Sequence, residues 1–127
     1  VEPVAASIGP TTERHIKASL ESTPLKERII KVHLDIEESH VVAWVQWRCG
    51  DKRDVEKEAS YVGWAVGQKG HVVKTLALWC VNAKDTKLFS AKASRTSLAR
   101  INKSGIERFA TSRYICLFEE VKRGPHR

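Results

Sequence analysis

The chain predicts an α+β domain: an antiparallel sheet of four to five strands, built from two hairpins, with an N-terminal helix and C-terminal helices packed on one face. Three observations carry that prediction. Ile30, Val32, Leu34 and Ile36 alternate with Lys31, His33 and Asp35, the period of two that marks a half-buried strand. Further apolar, β-rich runs follow at residues 41–49, 61–66 and 71–81, while residues 13–22 and 94–104 space their apolar residues as helices do. The length of 127 residues, 42% apolar and 29% charged, suits one ordinary domain.

Residues 1–12 hold two prolines, one glycine and small side chains without any period, so they read as a flexible arm or linker ahead of a single domain over residues 13–123. Thr11 or Thr12 can cap a helix over residues 13–22, with Ile16 and Leu20 one turn apart and Pro24 just past its end. The alternating strand and the run at 41–49 form a hairpin around Glu37-Glu38-Ser39-His40. A charged connection over residues 50–60 leads to a second hairpin, residues 61–66 with 71–81, turning at Gly67-Gln68-Lys69-Gly70. Residues 87–91 suit a fifth strand, and residues 94–104 a helix with Leu98 and Ile101 inward, stopped by Gly105. In residues 106–121, Ile106, Ala110, Tyr114, Leu117 and Val121 fit helical spacing, whereas residues 114–118 suit a strand by composition; helix is the reading taken. Residues 124–127 read as a fraying tail.

The formal charge of +7 is unevenly distributed. Residues 1–83 carry eleven Lys and Arg against eleven Asp and Glu; residues 84–127 carry eleven against four, which is the whole excess. Such a concentrated field favours polyanions. The basic run Lys92 to Lys103, with Ser94, Thr96 and Ser97 beside it, suits phosphate contacts if Lys92, Arg95 and Lys103 share one helical face.

Four tryptophans, Trp44, Trp47, Trp64 and Trp79, all fall on expected strands. Parity separates two of them. Val41, Ala43, Val45 and Trp47 share one face, while Val42, Trp44, Gln46 and Arg48 share the other, which leaves Trp44 on the wetter side. Such a ring can fill a core or offer a platform on which unpaired bases stack beside a cationic groove.

Several function classes are disfavoured. There is no Gly-x-Gly-x-x-Gly, Walker loop, nucleophile elbow or His-Glu-x-x-His, so no enzyme and no cofactor are expected. His15, His33, His40, His71 and His126 have no spacing that makes them an acid–base pair. Cys49, Cys80 and Cys116 lie too far apart for a Cys-x-x-Cys metal site, and their odd number suits buried free thiols in a reducing, intracellular compartment, cytoplasmic or nuclear; a disulfide pair is the alternative. No apolar run approaches the length of a membrane span, so no membrane partner is expected.

Over residues 79–106 the chain resembles the second half of actin-depolymerising-factor homology domains. Trp79-Cys80, Ala93-Ser94 and Gly105-Ile106 match that family's Trp-Cys strand end, Ala-Ser step and Gly-Ile turn, which flank a basic actin-contacting helix. The family's proline after the cysteine is Val81 here, and a hairpin is expected where the family has a helix between its central strands. The order of antiparallel strands followed by a helix is also similar in plan to single-stranded RNA phage coat proteins, whose sheet binds an RNA hairpin.

The function these residues predict is non-catalytic binding of nucleic acid, RNA or single strands before duplex DNA. Lys87, Lys92, Arg95, Arg100 and Lys103 would neutralise phosphates, and Trp44 with Arg48 would form the stacking pair. The alternative is a protein-interaction module that docks on an acidic partner, such as a filament, or forms a homo-oligomer through an open sheet edge.

Overall fold

The computed structural model describes residues 13–37, 40–49, 55–67, 73–108 and 114–126. The expected arm at residues 1–12 and the turn at 68–70 lie outside the described residues. Helix α1 spans residues 13–21, and strands β1 (Ile29–Glu37) and β2 (His40–Arg48) follow as the expected hairpin. Helix α2 (Val55–Gly67) connects to β3 (Val73–Val81), which turns into β4 (Lys87–Ser94). The short helices α3 (Arg95–Leu98) and α4 (Lys103–Arg108), then a 3-10 turn at Ile115–Leu117, lead to β5 (Glu119–His126).

The five strands lie in chain order, β1-β2-β3-β4-β5. Every neighbouring pair is antiparallel except the second: β2 and β3 run parallel, joined through α2. Parallel neighbours need such a crossover, because a hairpin cannot return the chain to the same end of the sheet. The α+β class thus holds, with one parallel joint inside an otherwise antiparallel sheet.

The second hairpin is therefore a different one. Residues 61–66 belong to α2, and β3 pairs with β4 instead. Val55, Ala59, Val62 and Val66 are all buried, and their spacing of four, three and four residues puts them on one helical stripe. That stripe crosses the border between a charged stretch and an apolar one, so each half conceals it when read alone. Trp64 accordingly lies on a helix, not a strand.

The helix expected over residues 94–104 is broken in two. Ser94 caps α3 by accepting from the Ser97 N–H at 3.3 Å, and Asn102 accepts from the Gly105 N–H at 2.7 Å to start α4 afresh. Gly105 thus sits inside α4 instead of ending a helix. Nor does one helix span the described part of residues 106–121: α4 ends at Arg108, residues 109–113 lie outside the described residues, and β5 begins at Glu119 and runs through Gly124 to His126, where a fraying tail is expected. The alternation in β1 is also interrupted. A bulge between Ile29 and Lys31 pairs Ile29 with Trp47 and leaves Ile30 exposed, and Ile36 at the hairpin end is exposed as well.

The core occupies one side of the sheet. It joins Val32 and Leu34 (β1), Ala43, Val45 and Trp47 (β2), Leu76, Leu78 and Cys80 (β3), and Phe89, Ala91 and Ala93 (β4) to Ile16 and Leu20 of α1, α2's stripe, Leu98, Ile101, Ile106 and Phe118. A Cβ on Gly63 of α2 would come within 2.8 Å of the Ile101 side chain, so this glycine lets α2 and the C-terminal segment approach closely.

Polar groups on this side are tied together. The carboxylate of Glu58, in α2, accepts from Trp47 Nε1 at 2.9 Å and pairs with Arg28 Nη1 at 2.7 Å, stapling the helix to the first hairpin. The Tyr61 phenol is held above its ordinary pKa, first by burial and then by the negative charge of Glu107. Cys49 and Cys80 form a disulfide, Cα–Cα 5.3 Å, and Cys116 is exposed. Two of the expected free thiols are therefore joined. The reason is the parallel register: Trp47 pairs with Cys80 and the Cys49 N–H donates to Val81 O, which brings the two sulfurs together at the ends of adjacent strands.

Candidate functional site

The opposite side of the sheet is not covered by any described helix. Its residues follow from the register: Lys31 and His33 on β1, Gln46 and Trp44 on β2, Trp79 and Ala77 on β3, Ser90 and Lys92 on β4, and Lys122 on β5. None of these belongs to the core cluster. Trp44 lies on this wetter side, as its parity requires, and is half-buried like Trp79. The two indoles meet edge to face, ring centroids 6.3 Å apart. Lys87 Nζ stands 5.7 Å from the Trp79 ring centroid, close enough for a cation–π contact.

These groups border a shallow depression of about 240 Å³ whose lining includes Trp44, Trp79, Lys87, Lys92, Lys122 and Glu120. Three ammonium groups thus surround an aromatic pair on an open surface. One carboxylate intrudes, with Glu120 Oε2 3.4 Å from Lys92 Nζ. A second depression of about 210 Å³, between the start of α2 and β4–β5, is lined by Val55, Glu56, Leu88, Phe89, Arg123 and Gly124. Its two charged side chains pair with each other, Arg123 Nε to Glu56 Oε2 at 2.7 Å, and its one aromatic ring, Phe89, is buried in the core.

The expected phosphate contacts divide between two surfaces. Lys87 and Lys92 join the tryptophans on the uncovered face. Arg95 and Arg100 are exposed on and just after α3, which packs against the helical side through Leu98. Arg95 also donates from Nε to Val73 O at 3.4 Å. Lys92, Arg95 and Lys103 lie on three different elements and cannot share a helical face; the Lys103 side chain lies outside the described residues. Arg48 shares Trp44's face but stands four residues along the strand, where it donates to Asn82 O and pairs with Asp85 Oδ1 at 3.3 Å, bracing the β3–β4 turn. The partner of Trp44 is Trp79, not Arg48.

Sequence reasoning singles out neither Trp79 nor Lys122 for this site, although Trp79 is one of the four rings it weighs as a platform. Trp79 lies in the nearly continuous apolar run of β3, which shows no alternation to side it by. Its place follows only from Gln46 and Ser90, the polar register partners on either side. Lys122 becomes visible only once its segment is known to be a strand.

No protein-family model, curated protein or solved structure matches the chain. Among the described residues, no helix is long and apolar enough to cross a membrane.

Proposed function

We propose that the protein binds single-stranded nucleic acid, RNA foremost, on the uncovered face of its sheet, without catalysis. The observation that carries this reading is the Trp44–Trp79 pair ringed by Lys87, Lys92 and Lys122. Unpaired bases stack on exposed rings for about 1–3 kcal/mol each, whatever their identity, and ammonium groups at the margin neutralise the connecting phosphates. A duplex conceals its base faces, so this surface favours single strands. Such ligands are met inside cells, and an intracellular location is part of the reading; it rests on the ligand and not on unpaired thiols, since Cys49 and Cys80 are joined.

Fluorescence anisotropy with a labelled single-stranded oligoribonucleotide, titrated across a salt series, tests it. Three phosphate contacts give a log–log slope of about −2 for a single strand. Indole quenching on binding is expected, because both rings lie at the site. Binding that ignores salt, or no binding to any single strand, overturns the reading.

A second reading, docking on an acidic protein partner, has an observation of its own. A helix, α2, does lie between the central strands, as in the actin-depolymerising-factor homology domains that residues 79–106 resemble, and Arg95 and Arg100 are exposed beyond β4. Against it, the helix that carries Arg95 is only four residues long, and Arg100 lies just past its end. Cosedimentation with actin filaments that is lost in Arg95→Glu/Arg100→Glu would favour this reading. Light scattering reports whether copies associate through the β1 edge, where Ile30 and Ile36 are exposed.

A further inference from the structure

The carboxylate among the lysines is the feature that stacking and charge neutralisation leave unexplained. Glu120 repels phosphate, yet its side chain reaches the depression that holds Trp44, Trp79, Lys92 and Lys122. Its backbone is unusual too. Ser90 pairs with Lys122 while Lys92 pairs with Glu119, so β5 carries a bulge opposite β4, and Glu120 within it adopts φ 51°. Bulges of this kind usually place glycine in the left-handed conformation. A glutamate there bears backbone strain, and strained positions gather where a side chain must be aimed. The side chain is well exposed and points an acceptor pair toward solvent beside Lys92 Nζ, 3.4 Å from Oε2.

We infer that Lys92 and Glu120 read the edge of a stacked base and select guanine. This rests on the single-strand reading above. Side by side, the ammonium is a donor and the carboxylate two acceptors. The Watson–Crick edge of guanine presents the complement in order: the O6 acceptor, the N1–H donor and the N2 amino donor. Adenine and cytosine place an acceptor at the ring nitrogen where guanine has N1–H, and uracil flanks its single N3–H with carbonyls that a carboxylate repels. Only guanine offers two adjacent donors to the carboxylate fork, the arrangement that makes charge-assisted pairs strong. Unpaired bases are read on this edge because nothing else occupies it.

The test uses oligouridylates of equal length that carry one central guanosine, adenosine, cytidine or inosine, with anisotropy as readout. The guanosine strand should bind about tenfold tighter than the all-uridine strand, with inosine, which lacks the N2 amino group, falling between them. Glu120→Gln should remove the guanosine preference and tighten all-uridine binding slightly, because a carboxylate that repels phosphate and pairs with Lys92 is gone. Glu120→Gly, favoured by the backbone at φ 51°, should do the same while keeping the folded far-UV spectrum and melting temperature. Equal binding of all the strands by the native chain, or a guanosine preference that survives both variants, overturns the inference while leaving single-strand binding intact. No binding by any strand overturns both.

Discussion

Two faces of one sheet treat the same residue type in opposite ways. Trp47, on the helical side, has no exposed surface and gives its indole N–H to buried Glu58. Trp44, three residues earlier on the same strand, is half-buried on the other face, edge to face with Trp79. Nothing in the local sequence distinguishes these rings except whether their position is odd or even. Strand parity decides whether an indole serves stability or stands available to a ligand.

Substitutions at the two kinds of ring should therefore separate stability from binding. Trp47→Ala is expected to have the largest effect, about 3–5 kcal/mol lost in denaturant unfolding, because it empties core volume and strips Glu58 of a donor. Trp79→Ala should unfold near the native midpoint yet weaken single-strand affinity about 5- to 150-fold, the equivalent of about 1–3 kcal/mol per stacked base. If Trp79→Ala were the more unfolded of the two, the division of labour would be wrong.

The disulfide lies between these extremes. Cys49→Ser/Cys80→Ser opens a bridge between residues 31 apart and should cost about 2–4 kcal/mol of stability, with affinity unchanged, as read by paired denaturation and anisotropy curves. Charge reversal sharpens the contrast further. Lys92→Glu/Lys122→Glu should weaken affinity about tenfold or more and flatten its salt dependence, because both groups border the stacking site. Arg95→Glu/Arg100→Glu should have a distinctly smaller effect, and equal losses would mean that the ligand wraps onto the helical side.

The smallest effect belongs to Tyr61. Its phenol is raised above the ordinary value of 10.0 in the folded chain, so the folded state holds this proton more tightly than the unfolded state does. The associated stability is complete below pH 10.0 and is lost as the pH rises through the folded value. Tyr61→Phe should flatten that alkaline decline in a series of thermal melts.

The first hairpin and the siding of Trp44 and Trp47 were readable because β1 and β2 alternate cleanly. Three features were not, for separate reasons. Helix α2 has its apolar stripe split between a charged stretch and an apolar one, so Val55 and Ala59 look unrelated to Val62 and Val66. The C-terminal third carries two helix caps, Ser94 and Asn102, within nine positions, and a periodicity that runs through both conceals the break. The cystine and the pairing of Trp44 with Trp79 depend on β2 lying parallel to β3, a long-range fact that no local pattern encodes. Of the expected site, Trp44, Lys87 and Lys92 come together. Arg48 is engaged at the β3–β4 turn, and the basic run after β4 turns toward the other side.

The bridge between Cys49 and Cys80 closes the chain into a covalent loop that contains all of α2 and most of β3. That loop is the crossover on which the parallel joint depends, and a protease cut anywhere within it would leave both pieces attached. Nicked and intact molecules would then travel together on a gel until a reductant was added. The parallel joint of the sheet is thus protected against the consequences of a single scission, a safeguard that the hairpins on either side of it lack.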